Sequence, residues 1–437
     1  MAEPSSSSSK KERLGVRGFL KLLGPGLITG AADDDPSGIA TYSQTGAQFG
    51  FGQLWTSLYQ IPLLLAVQEA CARIGIVTGK GLAGIIKKHY TRNILIGVVF
   101  LVVVANTINI GADIGAVAAA GQLVVNVPFG VLAAITAVVI ILLEVFINYK
   151  TYAKVLKWLA LALLAYPITA LIVHEPWKQI FYATAVPHFE FTFAFLFIIT
   201  GVFGTSISPY MFFWQTSQEV EEEIAEGVPL VKEKPKLPKY YLRNARIDTT
   251  AGMIAAEVAQ WFIIITTATV LFSHGITTIN SAADAAKALQ PLVSSFPNSG
   301  QVAKDLFAVG VIGLGLLGIP VLAGSSAYAM SEAFGWKEGL SRKFNEAKGF
   351  YGVIIIGTLV GLLINFIGIN PIKALVFTAV FNGIAAVPLL FLIGKINGNK
   401  NILGDKKGGA LSRTMVWLTF GIMALSALAL LYTLVLH

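Results

Sequence analysis

Three consecutive aspartates, Asp33, Asp34 and Asp35, stand inside the apolar stretch GPGLITGAADDDPSGIATYSQTGAQFGF and are followed at once by Pro36, Ser37 and Gly38. Carboxylates buried among apolar residues are costly unless they are protonated or engaged by a cation. Proline removes an amide donor and clashes with the preceding turn, so the helix breaks and frees carbonyls beside the acids. A second stretch, FLFIITGVFGTSISPYMFFWQTS, repeats the device with Ser208 ahead of Pro209. A broken helix beside carboxylates is a cation site in outline, with carbonyl dipoles and a carboxylate pointing inward. One such break reads equally well as a simple proline kink. Two at corresponding places favour a substrate site, because freed carbonyls are tolerated in lipid only where they line a protected cavity.

The elements that carry these residues are membrane spans. The chain has 437 residues, 55% of them hydrophobic and only 13% charged, with a mean hydropathy of +0.70. Disorder and an ordinary soluble enzyme are both excluded by those values. Apolar runs long enough to cross ~30 Å of hydrocarbon recur along the chain. They define eleven expected spans, at 22–47, 51–73, 93–120, 127–148, 152–173, 190–217, 248–273, 303–333, 350–368, 371–394 and 414–436. With the N-terminus cytoplasmic and the C-terminus extracellular, only Lys178, Lys287, Lys304 and Lys373 of the 32 Lys and Arg residues fall on the outer side. The net charge of +8 is thereby explained by cytoplasmic loops, and no nucleic-acid partner is expected. Residues 1–21 read as a basic cytoplasmic leader without a cleavable-signal pattern. Cys71 is the only cysteine, which excludes an intrachain disulfide. An intramembrane enzyme is disfavoured, since the chain has no HExxH pair, no catalytic Cys–His arrangement and no paired-aspartate GxGD sequence.

Spans 1 and 6 are both longer than one crossing requires, and five spans separate each break from its counterpart. That is the pattern of two five-helix repeats, 22–173 and 190–394, each opening on a discontinuous helix; 414–436 is an additional helix. The stretch QEVEEEIAEGVPLVKEKPKLPKYYLR is expected to be a solvated cytoplasmic loop or short helix. SAADAAKALQPLV is expected to form a short extracellular helix.

The run from Gly24 to Phe51 resembles the first helix of the Nramp family of divalent-metal transporters, whose hallmark there is Asp-Pro-Gly-Asn. QEACARIGIVTGKGLAGIIKKHY, from Gln68, resembles that family's second helix and following loop. Span 6 stands in the place of its Met-Pro-His motif. The resemblance implies an all-α LeuT-like fold with an inverted 5+5 repeat, broken helices 1 and 6, and passage of a divalent cation. It implies a metal-binding carboxylate at Asp35 and ion-facing backbone carbonyls at Ala32 and Thr205. The departures are equally informative. Ser37 and Gly38 leave the family's asparagine ligand missing, which is expected to make the site roomier. Ser208 replaces the methionine, and Tyr210 replaces the histidine.

Loss of the thioether leaves oxygen donors, which moves preference from Mn, Fe, Co or Cd toward Mg²⁺. Mg²⁺ gives up its waters reluctantly and would pass partly hydrated. This pattern is similar to the divergent branch called Nramp-related magnesium transporters. Proton coupling is expected to be absent. Asn109 and Ala112 align with the family's acidic positions on span 3, and span 9 carries no charge, although Asp113 remains. A divalent ion entering an inside-negative cell gains about 4.6 kcal/mol per 100 mV, so the potential alone drives uptake.

The resulting expectation is a bacterial plasma-membrane secondary transporter for Mg²⁺, with Mn²⁺ as a lesser substrate. A proton-coupled Mn²⁺/Fe²⁺ transporter is the alternative. The metal is cargo rather than cofactor, the remaining partner is the bilayer, and the chain is expected to be a monomer. Asp33 and Asp34 either draw cations, Asp34 through water, or face solvent in a vestibule. Asn382 either approaches the ion or packs helices. Structural roles are expected for Glu69, Glu144 and Glu257.

Overall fold

The computed structural model describes residues 25–147, 164–173, 175–225 and 239–436. Among these the chain is almost wholly helical. The first expected span is two helices, α1 (Pro25–Asp33) and α2 (Pro36–Phe49), separated by Asp34 and Asp35. Their 9 and 14 residues span about 14 and 21 Å, so only the two together cross a bilayer. Pro36 takes the first position of α2, where its missing amide costs nothing. There follow α3 (Trp55–Thr78), the short α4 (Leu82–His89), α5 (Arg92–Val124), α6 (Phe129–Phe146), α7 (Ala165–Ile172) and α8 (Trp177–Ala185).

The sixth expected span is broken in the same way. Helix α9 (Phe193–Ser206) ends at Ile207 and Ser208, and α10 (Pro209–Ala225) restarts on proline. Then come α11 (Lys239–Val270), α12 (Ala282–Ala286), which a 3₁₀ segment at Lys287–Val293 extends, α13 (Ser299–Phe334), α14 (Lys348–Ile364), α15 (Pro371–Asn397), α16 (Lys400–Leu403) and α17 (Ala410–Leu436). The expected helix at SAADAAKALQPLV is therefore present. Among the described residues eight helical segments are long and apolar enough to span a membrane, one of them α9 and α10 taken together, and α14, with 17 residues, is shorter. Most of the fifth expected span, like the 1–21 leader, lies outside the described residues.

One expectation needs correcting. The stretch that begins QEVEEEIA is the continuation of α10 through Ala225, and its Glu219 and Glu223 are buried rather than solvated. The helix continues because it packs against α3 and α13 beyond the apolar run. Residues 226–238 of that stretch lie outside the described part.

Helix α11 lies along both halves of the broken first helix. The contact is backbone on backbone: a Cβ on Gly30 would sit 2.3 Å from the Gly252 carbonyl oxygen, and one on Gly252 would sit 2.2 Å from that of Gly26. Helices α9 and α15 meet similarly through Gly204 and Gly383. Small residues give such approach in lipid, where packing rather than the hydrophobic effect holds helices together. The first turn of α1 is satisfied across the same contact. Asp248 on α11 accepts from the Gly26 amide at 2.6 Å and from the Leu27 amide at 3.1 Å. It supplies acceptors to orphan donors and a negative charge to the positive end of a helix dipole. Lipid-facing surfaces are apolar, as with Leu425, Leu428 and Leu431 on α17.

Gly30→Val should force α1 off α11. We expect a loss of about 1–3 kcal/mol or more from overpacking, read as a lower melting midpoint in detergent. Gly421→Val, with nothing within 4 Å of its Cβ position, should melt close to the parent.

Candidate cation site at two broken helices

Asp35 ends the break rather than lying in a helix. It is the N-cap of α2: its Oδ1 accepts from the Ser37 hydroxyl at 2.5 Å and the Gly38 amide at 3.0 Å. The carboxylate is thereby fixed in orientation at the amino end of α2. Its Oδ2 faces α5 and accepts from Asn109 Nδ2 at 3.2 Å. Glycine on α13 makes room for it, since a Cβ at Gly318 would stand 2.9 Å from the Asp35 Cβ. Asp35 is 1% exposed.

The other expected donors lie at the two breaks. Ala32, at the carboxyl end of α1, presents its carbonyl to the Tyr210 hydroxyl, which donates to it at 2.9 Å. Ser208, in the second break, donates to the Thr205 carbonyl at 2.8 Å and also to that of Gly204. Tyr210 and Ser208 thus orient the two helix ends whose carbonyls carry partial negative charge. Each carbonyl retains a second lone pair for a further partner. The Thr205 side chain meets the Tyr42 hydroxyl at 2.8 Å, tying α9 to α2.

Asn382 joins through α5 rather than directly. Its Nδ2 donates to Asn109 Oδ1 at 3.3 Å, and its own Oδ1 has no hydrogen-bond partner. Asn109 in turn divides its amide protons between Asp35 and Asp113 Oδ2, the latter also at 3.2 Å. Asn109 and Asp113 are one helical turn apart, so one face of α5 presents an amide bridge between two buried carboxylates.

Two expectations about the aspartate run are corrected. Gly38 does not make the site roomier: a Cβ there would lie 2.8 Å from the Asp33 carbonyl oxygen and 3.3 Å from the Tyr42 ring. Glycine stands at this position because the two half-helices approach closely, and its amide serves Asp35. Asp33 and Asp34 do not face solvent, being 2% and 3% exposed. They stand at the carboxyl end of α1, which packs against α11. Glu257, expected to be structural, is buried on α11 and has no hydrogen-bond partner among the described residues. Glu69 is structural as expected, bonded to Arg73 and to Arg246 at 2.8 Å. Glu144 is buried on α6 and has no hydrogen-bond partner among the described residues.

The residues that sequence reasoning undervalued are Asn109, read there as a lost acid, and Tyr42, Gln215 and Gln260. Thr29 donates to Gln215 Oε1 at 2.8 Å, joining α1 to α10. The available signal was periodicity: Asn106, Asn109 and Asp113 lie on one stripe of an otherwise apolar helix. Among the described residues no three His, Cys, Asp or Glu side chains form a metal-holding cluster by themselves. An ion at Asp35 would complete its shell with carbonyls, amide oxygen or retained water.

The two sides of the site differ. Toward the basic loops, Glu332 on α13 accepts from the Gly84 amide at 2.6 Å and the Ser217 hydroxyl at 3.2 Å, joining α4, α10 and α13. In the following segment, burial and the neighbouring Glu332 and Glu221 push the Glu338 carboxyl up to about 9. It is therefore neutral at pH 7. On the opposite side a cavity of about 680 Å³ lies between α2, α5, α9 and α15. Its lining includes Ile108 and Ala112, which flank Asn109, and Thr378, one turn before Asn382.

Known proteins are similar to this chain in sequence and in fold. The chain is 26% identical over 452 residues to the divalent metal cation transporter MntH of Caldanaerobacter subterraneus subsp. tengcongensis, covering 99% of this chain and 98% of that protein. Its fold is similar to that of a manganese transporter from Eremococcus coleocola, with a TM-score of 0.75 at 17% identity over 97% of this chain and 88% of that one. Mhp1, a nucleobase-cation-symport-1 family transporter, is similar at a TM-score of 0.58 and 14% identity, over 94% and 91% of the two chains. The likenesses confirm the all-α, LeuT-like architecture. Residues 26–433 match the family described as Natural resistance-associated macrophage protein-like, and this chain, a multi-pass membrane protein, belongs to that Nramp family.

Proposed function

We propose that the protein is a secondary transporter of the bacterial plasma membrane that carries divalent metal cations into the cell by alternating access. Its main cargo is partly hydrated Mg²⁺, with Mn²⁺ as a second ion. The observation that carries this reading is the donor set at Asp35. Ser37, Ser208, Tyr210, Asn109 and Asn382 surround or support one anchored carboxylate and offer oxygen alone, without thioether or imidazole. Such a set suits a hard cation that keeps water. The carbonyls of Ala32 and Thr205, at the ends of two half-helices, add negative potential without net charge.

Transport in this reading needs only a change in which side reaches Asp35. The Glu332 clamp and the cavity opposite it supply a closed inner side and an outer vestibule. An arriving ion competes with the Asn109 amide for Asp35 Oδ2, so binding frees Asn109 to turn on Asp113 and Asn382. The membrane potential supplies about 4.6 kcal/mol per 100 mV for a divalent ion, and the reading assigns no proton to the cycle.

The second reading, a proton-coupled Mn²⁺/Fe²⁺ transporter, is favoured by the names of the relatives and by Asp113, a buried acid linked to Asp35 through Asn109. Proteoliposome uptake separates the two. Mg²⁺ entry driven by a potassium-diffusion potential, with no acidification seen by an internal pH reporter, is expected; strict dependence on a proton gradient selects the second reading. Asp35→Ala should reduce uptake to background in protein that still elutes as a monodisperse peak, and near-normal flux would remove the site. Ser208→Met should raise the preference for Mn²⁺ over Mg²⁺ by about tenfold, equivalent to ~1.4 kcal/mol of differential binding, measured by competition.

A further inference from the structure

Where α15 ends and α17 begins, the two helices enclose a pocket of about 710 Å³ that shares no residue with the helix breaks. Glycines on α15 and just beyond it shape the wall. A Cβ on Gly394 would stand 3.1 Å from the Trp417 ring, and one on Gly398 would stand 3.5 Å from Arg413 Cδ. The connecting turn is tied down. Gly408 donates its amide to the Asn397 carbonyl at 2.9 Å, and Asn397 Nδ2 donates to the Ser412 hydroxyl at 3.1 Å. The pocket is therefore preformed.

Its side chains are layered. Lys395 stands one turn after Phe391 on α15, and Arg413 stands one turn before Trp417 on α17. The pairs Gly394–Trp417 and Gly398–Arg413 run in opposite senses along the two helices. Both cations therefore lie on the side of the connecting turn, and both aromatics lie one turn deeper. The Lys395 ammonium is 5.6 Å from the Phe391 ring centroid, within cation–π range, and the Phe391 and Trp417 rings meet edge to face at 5.6 Å.

The cations are not neutralised from within. Among the described residues neither Lys395 nor Arg413 forms an ion pair, and Arg413 Nε is buried without a hydrogen-bond partner. Two acids of the neighbouring segments are engaged elsewhere, Glu69 with Arg73 and Arg246, and Asp405 with Lys400 at 3.7 Å. A buried guanidinium N–H without an acceptor is costly. Two uncompensated cations around a preformed cavity call for an anion.

The layer beneath decides which kind. Phe391 and Leu418 are exposed on the outside of the bundle, so the surface passes from charge through aromatic rings to apolar side chains. A free phosphate would use the charged layer alone. An anionic phospholipid uses all three, since basic pockets between membrane helices take its headgroup and interfacial aromatics sit at the level below.

We propose that the pocket between α15 and α17 binds the phosphate headgroup of an anionic phospholipid through Lys395 and Arg413, with the rest of the lipid lying along Phe391, Trp417 and Leu418. The proposal needs only that the chain is a multi-pass membrane protein and is indifferent to the ion it carries. The bound lipid would brace the last helix against α15, the helix that bears Asn382.

The test counts lipids. Delipidated full-length protein in detergent is titrated with phosphatidylglycerol, and adducts are resolved by native mass spectrometry. One phosphatidylglycerol per chain should bind ahead of any other, and phosphatidylcholine should not compete for it. Lys395→Gln and Arg413→Gln should each weaken that adduct about fivefold, and Arg413→Lys should restore part of the loss. Lys400→Gln, outside the pocket, should bind as the parent does. Phosphatidylglycerol should also raise the melting midpoint of the parent but not that of the double variant, and the single variants carry the comparison if the double variant does not fold. Parental affinity in both single variants would overturn the assignment, as would equal binding of phosphatidylcholine. Inorganic phosphate is the second probe. If it displaces the lipid and raises the midpoint by itself, the pocket belongs to a soluble anion and the lipid assignment fails.

Discussion

Carboxylates without basic partners, enclosed where water is scarce, are the interaction from which the rest of the molecule can be understood. Asp33, Asp34, Asp35, Asp113 and Glu257 are all buried, and among the described residues none is neutralised by lysine, arginine or histidine. Charge of one sign at this depth is costly. It is sustained by oriented dipoles: the amino end of α2 beneath Asp35, the Asn109 amide between Asp35 and Asp113, and the Ser37 hydroxyl on Asp35. None of these removes the charge. Each makes it tolerable while leaving a visiting cation as the stronger partner.

Such an arrangement demands close walls, because dipoles act over short distances. Glycines supply the closeness. Gly318 admits the Asp35 side chain, Gly38 admits the Asp33 carbonyl, and Gly26, Gly30 and Gly252 let α1 touch α11 backbone to backbone. Where α1 meets α11 the contact is flat, backbone on backbone. A flat contact can slide or part without unthreading anything, which suits the alternating access proposed for the molecule.

How much of this was legible in the sequence depended on whether the signal was local. Proline after an acid or a hydroxyl marked both breaks to within a residue, because proline acts on its own chain. The multi-pass, all-helical character was legible because hydrophobic length is a one-dimensional quantity. What escaped depended on helix rotation. Gly38 looked like a vacancy left by a missing ligand and is instead filled by a neighbouring carbonyl. Asn109 looked like a lost acid and is the bridge between two acids. The end of α10 was read as a solvated loop or short helix because its glutamates are polar, yet Glu219 and Glu223 are buried where it packs on α3 and α13.

The cap that Asp248 places on α1 has a consequence for how the molecule is made. The amides of Gly26 and Leu27 emerge from the ribosome early, and the carboxylate that satisfies them is encoded 222 residues later. At ordinary synthesis rates that gap amounts to roughly 10–45 s. Throughout it, the nine residues of α1 are too short to cross the bilayer alone and have no protein partner for their first turn. Helix α1 therefore gains the partner of its first turn only after α11 has been made, so its capped form is a late product of assembly.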